Sequence, residues 1–231
     1  MSSGNKVLKY SIALMAMSVS IANAVPVSIS TGYQNEGFGQ FSGTIDYAAA
    51  SSNSATLTLT LKNEAGTAAG GKITGVALNL PDASGITGLI SGAPNNSWSQ
   101  LGINQNAVSA DPLGAFDFGE ALGGSWLGGG SPNAGIVIGA TGTFVFNFSG
   151  NGLNNLTTSS FLNAFAPGYS AGSAEFMAVR FRGFDNGGSD KVGANASPPP
   201  PVPVPSSVWL LISGIGGLGV IGKKVSKCNN S

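Results

Sequence analysis

Ala55-Thr-Leu-Thr-Leu-Thr-Leu61 alternates without a break. Leu57, Leu59 and Leu61 fall on one side of an extended chain and Thr56, Thr58 and Thr60 on the other, an arrangement that a helix, with its period of about 3.6, cannot give. The segment is satisfied only as a strand with one buried face. Thr143-Phe-Val-Phe-Asn-Phe148 makes the same demand more strongly. Its three phenylalanines share a face and would each bury about 150 Å² or more. Left uncovered, such a segment is an aggregation hazard, so it requires a facing layer, either a second sheet or covering helices.

Further segments repeat the pattern. Residues 41–47 alternate, and residues 72–80 put Val76, Leu78 and Leu80 in phase before Pro81, which cannot donate to a ladder, ends the run. With Leu61 and Ile73 flanking a glycine-rich connection, the strands around them are expected to form a hairpin or to lie side by side. Residues 175–184 return to alternation, with Met177, Val179 and Phe181 on one face and Arg180 and Arg182 on the other. Between 84 and 130 regularity fades into glycines, Asn95-Asn96 and Asp111-Pro112, which predicts loops with short strands such as 114–118. Residues 153–165 read as a short helix, capped by Thr157 or Thr158, with Leu162 and Phe165 at helical spacing. Asp185-Asn-Gly-Gly-Ser-Asp190 then closes the domain. Closely spaced strands, many turn residues and almost no helix predict an all-β fold: an antiparallel β-sandwich or jelly-roll ectodomain over residues 25–196 with one short helix.

The residue inventory narrows the chemistry. There is no histidine among the 231 residues, which removes Ser-His-Asp and Cys-His catalysis and most zinc sites. The single cysteine, Cys228, lies far from the predicted domain, so the domain has neither an internal disulfide nor a thiolate nucleophile. All ten acidic residues fall between Glu36 and Asp190, where they meet only Lys62, Lys72, Arg180, Arg182 and the adjoining Lys191, a net −5. No basic strip for a nucleic-acid backbone follows from this, and no nucleic-acid partner is expected. The other five lysines flank two apolar segments instead.

Lys6 and Lys9 precede an apolar stretch, 10–21, that ends in Ala22-Asn23-Ala24. This is the layout of a secretory signal peptide over residues 1–24, cleaved after the small-x-small pair Ala22 and Ala24 so that mature protein begins at Val25. Near the other end, six prolines in the eight residues 198–205 predict an extended polyproline II spacer within a linker at 197–207. Residues 208–222 are apolar and uncharged. Fifteen residues rise only about 22 Å as a helix, short of a hydrocarbon core of about 30 Å. The flanks decide for a C-terminal transmembrane helix: Trp209 suits the interface, while Lys223, Lys224 and Lys227 in the tail 223–231 snorkel on the cytoplasmic side.

The order of Pro-rich motif, glycine-containing apolar helix and short basic tail resembles the PEP-CTERM sorting signal of exported bacterial proteins. Val202-Pro203-Val204-Pro205-Ser206 is similar to the variant that reads Val-Pro-Leu-Pro-Ala. The chain departs from the family in lacking the glutamate of Pro-Glu-Pro, in placing serines where the variant has alanine, and in a lysine tail where arginine is more common. The resemblance implies an exosortase-type sorting protease as partner, transient anchoring in the inner membrane with the domain facing the periplasm, and later residence at the cell surface or in an extracellular matrix rich in exopolysaccharide. The function expected is that of an exported, non-enzymatic surface or matrix protein; the alternative is a secreted carbohydrate-binding, lectin-like module.

Three constellations in the domain hold residue types with chemistry to offer. Asp111, Asp117 and Glu120 supply carboxylates for a glycosidase-type pair, which has meaning only if two of them face each other across a substrate; as isolated turn and surface carboxylates they carry no activity. Asp185, Asn186, Ser189 and Asp190 are oxygen donors on a glycine-bearing loop and so candidate Ca²⁺ ligands, though Asp-Asn-Gly-Gly is also turn chemistry; no other cofactor is expected. Trp98 and Trp126, with Tyr169, are candidates for stacking on sugar rings, the rival role being ordinary packing.

Overall fold

The computed structural model describes residues 25–66, 70–81, 85–170 and 174–197. The cleavage residues Ala22 and Ala24, the motif Val202, Pro203, Val204, Pro205 and Ser206, the proposed span 208–222 and its flanks Trp209, Lys223, Lys224 and Lys227 lie outside them. Among the described residues no helix is long and apolar enough to cross a membrane.

The domain is antiparallel β. Its strands in chain order are β1 (Val27–Gln34), β2 (Phe41–Ala49), β3 (Ser54–Asn63), β4 (Gly70–Leu78), β5 (Ile86–Gly92), β6 (Trp98–Gly102), β7 (Val108–Ser109), β8 (Ala115–Phe116), β9 (Phe118–Leu122), β10 (Thr141–Gly150), β11 (Met177–Phe184) and β12 (Ser189–Ala196). Ten of them form one sheet in the order β5-β10-β3-β2-β1-β12-β11-β4-β9-β6, and β7 and β8 pair separately. The facing layer that Phe144, Phe146 and Phe148 require is therefore not a second sheet. The same sheet curls over until its two ends meet. Phe118 of β9 sets its ring edge-on to Phe146 and Phe148 of β10, with centroids 5.1 and 5.5 Å apart, and Trp98 of β6 meets Phe144 at 5.0 Å. Curling leaves only the outer edges of β5 and β6 unpaired, the problem that sheet closure solves.

The period-two segments behave as their sequences dictate. Leu57, Leu59 and Leu61 are fully buried inside the curl, opposite Phe146, Phe144 and Gly142 of β10. Their threonine partners face outward, where Thr56 Oγ1 donates to Asn147 Oδ1 at 3.0 Å. Two expectations are corrected. The strands around Leu61 and Ile73 are not neighbours: both edges of β3 are taken, by β2 and β10, and four strands separate β3 from β4. The segment 185–190 does not close the domain either. It is the turn into β12, which lies mid-sheet between β11 and β1.

The helix is shorter than its pattern suggested. Residues 153–155 form a 3₁₀ turn and α1 spans Thr158–Leu162, with Thr157 as N-cap. Its buried side chains are Thr158 and Phe161; Phe165 lies beyond it and is 53% exposed. Phe161 plugs one end of the curl between Tyr47 and Phe148, at 5.1 and 5.7 Å. Thr158 Oγ1 accepts from Tyr47 N at 3.0 Å, and the Tyr47 hydroxyl donates to Leu153 O at 2.7 Å. Burial pushes that phenol up to about 12.

A second apolar layer covers the outside of β4, β9 and β11. Ala77, Ala121 and Ala178 point outward from those strands and meet Val108 and Phe116 of the small β7–β8 pair together with Leu113 and Trp126. Small side chains on the sheet let this layer approach closely: the Trp126 ring passes so near Gly75 that a Cβ there would lie 3.1 Å from it.

Candidate functional site

Both tryptophans have been drawn into packing. Trp98 is 6% exposed inside the curl and Trp126 is 5% exposed under the outer layer. Neither ring has a free face, so the glycan-stacking role for Trp98 and Trp126 is corrected: the apolar area of each ring is already covered by protein. Tyr169, at 47% exposure, is half open.

Of the four loop donors, Asp190 and Asn186 are engaged within the protein, while Asp185 and Ser189 are exposed. Asp190 is 1% exposed and points inward from β12, on the same side as Val192 and Ala194. Its Oδ1 accepts from Glu36 N at 2.9 Å and its Oδ2 from Phe38 N and Gly39 N at 2.9 and 2.8 Å. The carboxylate thus organises the turn between β1 and β2. Asn186 Oδ1 accepts from Gly188 N within its own turn, at 2.8 Å, and Asp185 lies against Gly70. Among the described residues no group of three or more His, Cys, Asp or Glu side chains is placed to hold a metal ion.

The three carboxylates weighed as an acid pair go to different places. Asp111 sits at the cis Asp111-Pro112 bond, where its carbonyl accepts from Lys191 Nζ. Asp117 and Glu120, three residues apart on extended chain, project to opposite sides. Glu120 points into the curl beside Phe118 and Leu122 and is 2% exposed. There the Ser91 hydroxyl donates to its Oε1 across the seam between β5 and β9, while the Ser91 N–H donates to Gln100 Oε1 at 3.2 Å. Glu120 Oε2 has no partner. Burial raises the Glu120 pKa from its ordinary value, against a smaller lowering by the Ser91 hydrogen bond. This polar stitch closes the sheet where the backbone ladder stops.

Asp117 leads to a recess with a varied polar lining. It sits between β8 and β9, 8% exposed, and accepts from Asn106 N at 2.7 Å and Leu80 N at 2.9 Å. Around it opens a cleft of about 500 Å³ between the end of β4, the loop before β7 and the residues of and after α1. Asn79, 4% exposed, lines it; its Nδ2 donates to Ala164 O at 3.2 Å while its Oδ1 is buried without a partner. Asn163, the C-cap of α1, donates through Nδ2 to Ser159 O at 2.8 Å, which leaves its Oδ1 open. Phe165 contributes a half-exposed ring. No pattern along the chain joins these residues, which lie as far apart as 79 and 165; the one local signal is an aromatic placed among small residues just past a helix end.

Arg180 and Arg182 also do more than face solvent. From alternate positions on β11 they donate to Trp126 O and, at 2.7 Å, to Gly129 O, and so fasten the glycine-rich loop 123–131 to the sheet. Arg180 is buried; burial, and secondarily Arg182, lowers its pKa.

No protein-family model matches the chain, and no curated protein and no solved structure matches it either.

Proposed function

We propose that the chain is an exported, non-enzymatic protein of the cell surface or extracellular matrix, delivered by the signal-peptide-like segment 1–24 and held or handed on through a PEP-CTERM-like sorting signal at 202–227. The observation that best supports this reading is where the domain begins and ends. β1 and β12 are neighbours, Ile29 pairs with Ala196, and Ser197 N donates to Ser28 O at 2.8 Å. The two ends of the described domain therefore lie side by side, and its strands are complete without the flanking segments. Such a domain can be presented on a proline spacer by one attachment and lose its leader without disturbance. Within this reading, residues 208–222 anchor the chain in the inner membrane, an exosortase-type protease acts at Val202-Pro203-Val204-Pro205-Ser206, and exopolysaccharide is the surrounding phase.

Mass spectrometry of both mature termini tests the proposal. A start at Val25 and a C-terminus within or just after 202–206 are expected, with Pro203→Ala, Pro205→Ala and Ser206→Ala together leaving the chain unprocessed in the membrane. The same mature C-terminus and location in that triple variant would overturn it.

A second reading, a carbohydrate-binding module, loses its tryptophan platforms. It keeps one supporting observation, the cleft around Asn79, Asp117 and Phe165.

A further inference from the structure

We infer that this cleft binds a neutral saccharide, with Asn79, Asp117 and Asn163 accepting hydrogen bonds from its hydroxyls and Phe165 packing on a ring face. The inference rests on the second reading above and moves its site from the tryptophans to the end of α1.

The floor of the cleft is short of donors. Asn79 is almost wholly buried, its Nδ2 is committed to Ala164 O, and its Oδ1 accepts from nothing. A buried acceptor without a partner is costly, so the site favours a ligand that brings an O–H or N–H to it. Each Asp117 oxygen accepts a single backbone N–H and retains capacity for another donor. Asn163 Oδ1 adds a third acceptor, while the side-chain amides of Gln105 and Asn106 on the rim supply donors as well as acceptors. Adjacent hydroxyls, each donor and acceptor at once, match this mixture.

Charge and shape exclude the nearest rivals. Among the described residues of the lining Asp117 is the only ionisable group, and no cation accompanies it there. A phosphate or a uronic acid would meet a carboxylate with nothing to balance it. A metal ion would find a single carboxylate among the described lining residues, its remaining oxygens being neutral amides and a hydroxyl set beside Leu80, Pro81, Leu156, Phe165 and Pro167. An apolar wall beside a row of amide and carboxylate acceptors suits a pyranose, whose C–H face and hydroxyl edge lie at right angles. Phe165, 53% exposed and outside both apolar cores, has no packing role that explains its place.

The test is saturation-transfer NMR and calorimetry on the full chain in detergent micelles, with cello-, manno- and galacto-oligosaccharides as neutral probes and oligogalacturonate as the acidic one. Binding of a neutral probe, weakened on the order of tenfold by Phe165→Ala and by Asn163→Ala, is expected. Both positions lie at the rim, and an unchanged unfolding midpoint shows that the fold is kept. Ile90→Ala, on the far groove by β5, should leave binding as in wild type. If a neutral probe binds and neither rim variant weakens it, the site is wrong and the module reading stands. If no probe binds, both fall. Binding only of oligogalacturonate, or binding that chelation abolishes and Ca²⁺ restores, also overturns the inference.

Discussion

Asp190 illustrates how one buried carboxylate can fix a turn. Its two oxygens accept from three backbone N–H groups of the turn between β1 and β2, none of which has a strand to pair with. Asp190→Ala should cost about 3 kcal/mol, because it leaves three backbone donors without their acceptor, that of Gly39 buried, and Asp190→Asn should also destabilise by presenting an N–H₂ to them; urea unfolding measures both. Added Ca²⁺ should leave the wild-type midpoint unmoved. Glu120 makes a different prediction. Its pKa is raised by burial, so the folded chain keeps a proton that the unfolded chain has released. The associated stability is full below the ordinary glutamate range and is lost as pH rises through the folded-state value. The stability of wild type relative to Glu120→Gln should therefore fall as pH climbs from about 4. A difference flat with pH would show that Glu120 does not titrate in the folded seam.

At the scale of elements, strands whose burial is one-sided were legible and those with little apolar content were not. β3 and β10 could be read from leucine and phenylalanine alone. β1 carried a weaker signal, Val27 and Ile29 alternating with serine, and the inner face of β12 offers Val192 and Ala194 as its apolar side chains beside Asp190. β12 is a strand because β1 and β11 offer it two edges, a reason that no local pattern contains. The loop 123–131 follows the same logic. Trp126 is the one side chain it buries, and the backbone on either side is fastened by Arg180 and Arg182 reaching it from β11. Arg182→Ala should accelerate amide hydrogen exchange at 127–130 while leaving β3 and β10 protected. Equal protection in the variant would mean that Trp126 alone holds the loop.

For the whole molecule, the placement of the two ends is the consequential result. Since β1 and β12 are paired, a circular permutant that joins 197 to 25 through a short glycine-serine linker and opens the chain between Gly187 and Gly188 should fold and melt near wild type. A permutant that fails to fold would show that the turn into β12 is needed to register the sheet. By itself the sequence determined the class of fold, the inward faces of its strongest strands, the chemistry that a chain without histidine cannot perform, and the two flanking segments that carry the export reading. These are properties of composition and of period along the chain, which survive without knowledge of neighbours. Only the tertiary structure decided that one sheet curls over its own core where two were expected, that the tryptophans are covered, that Asp190 serves a turn, and that Asn79, Asp117, Asn163 and Phe165 share a cleft. Each of those depends on which distant strands pair and which loop ends meet, and a pattern read along the chain does not encode it.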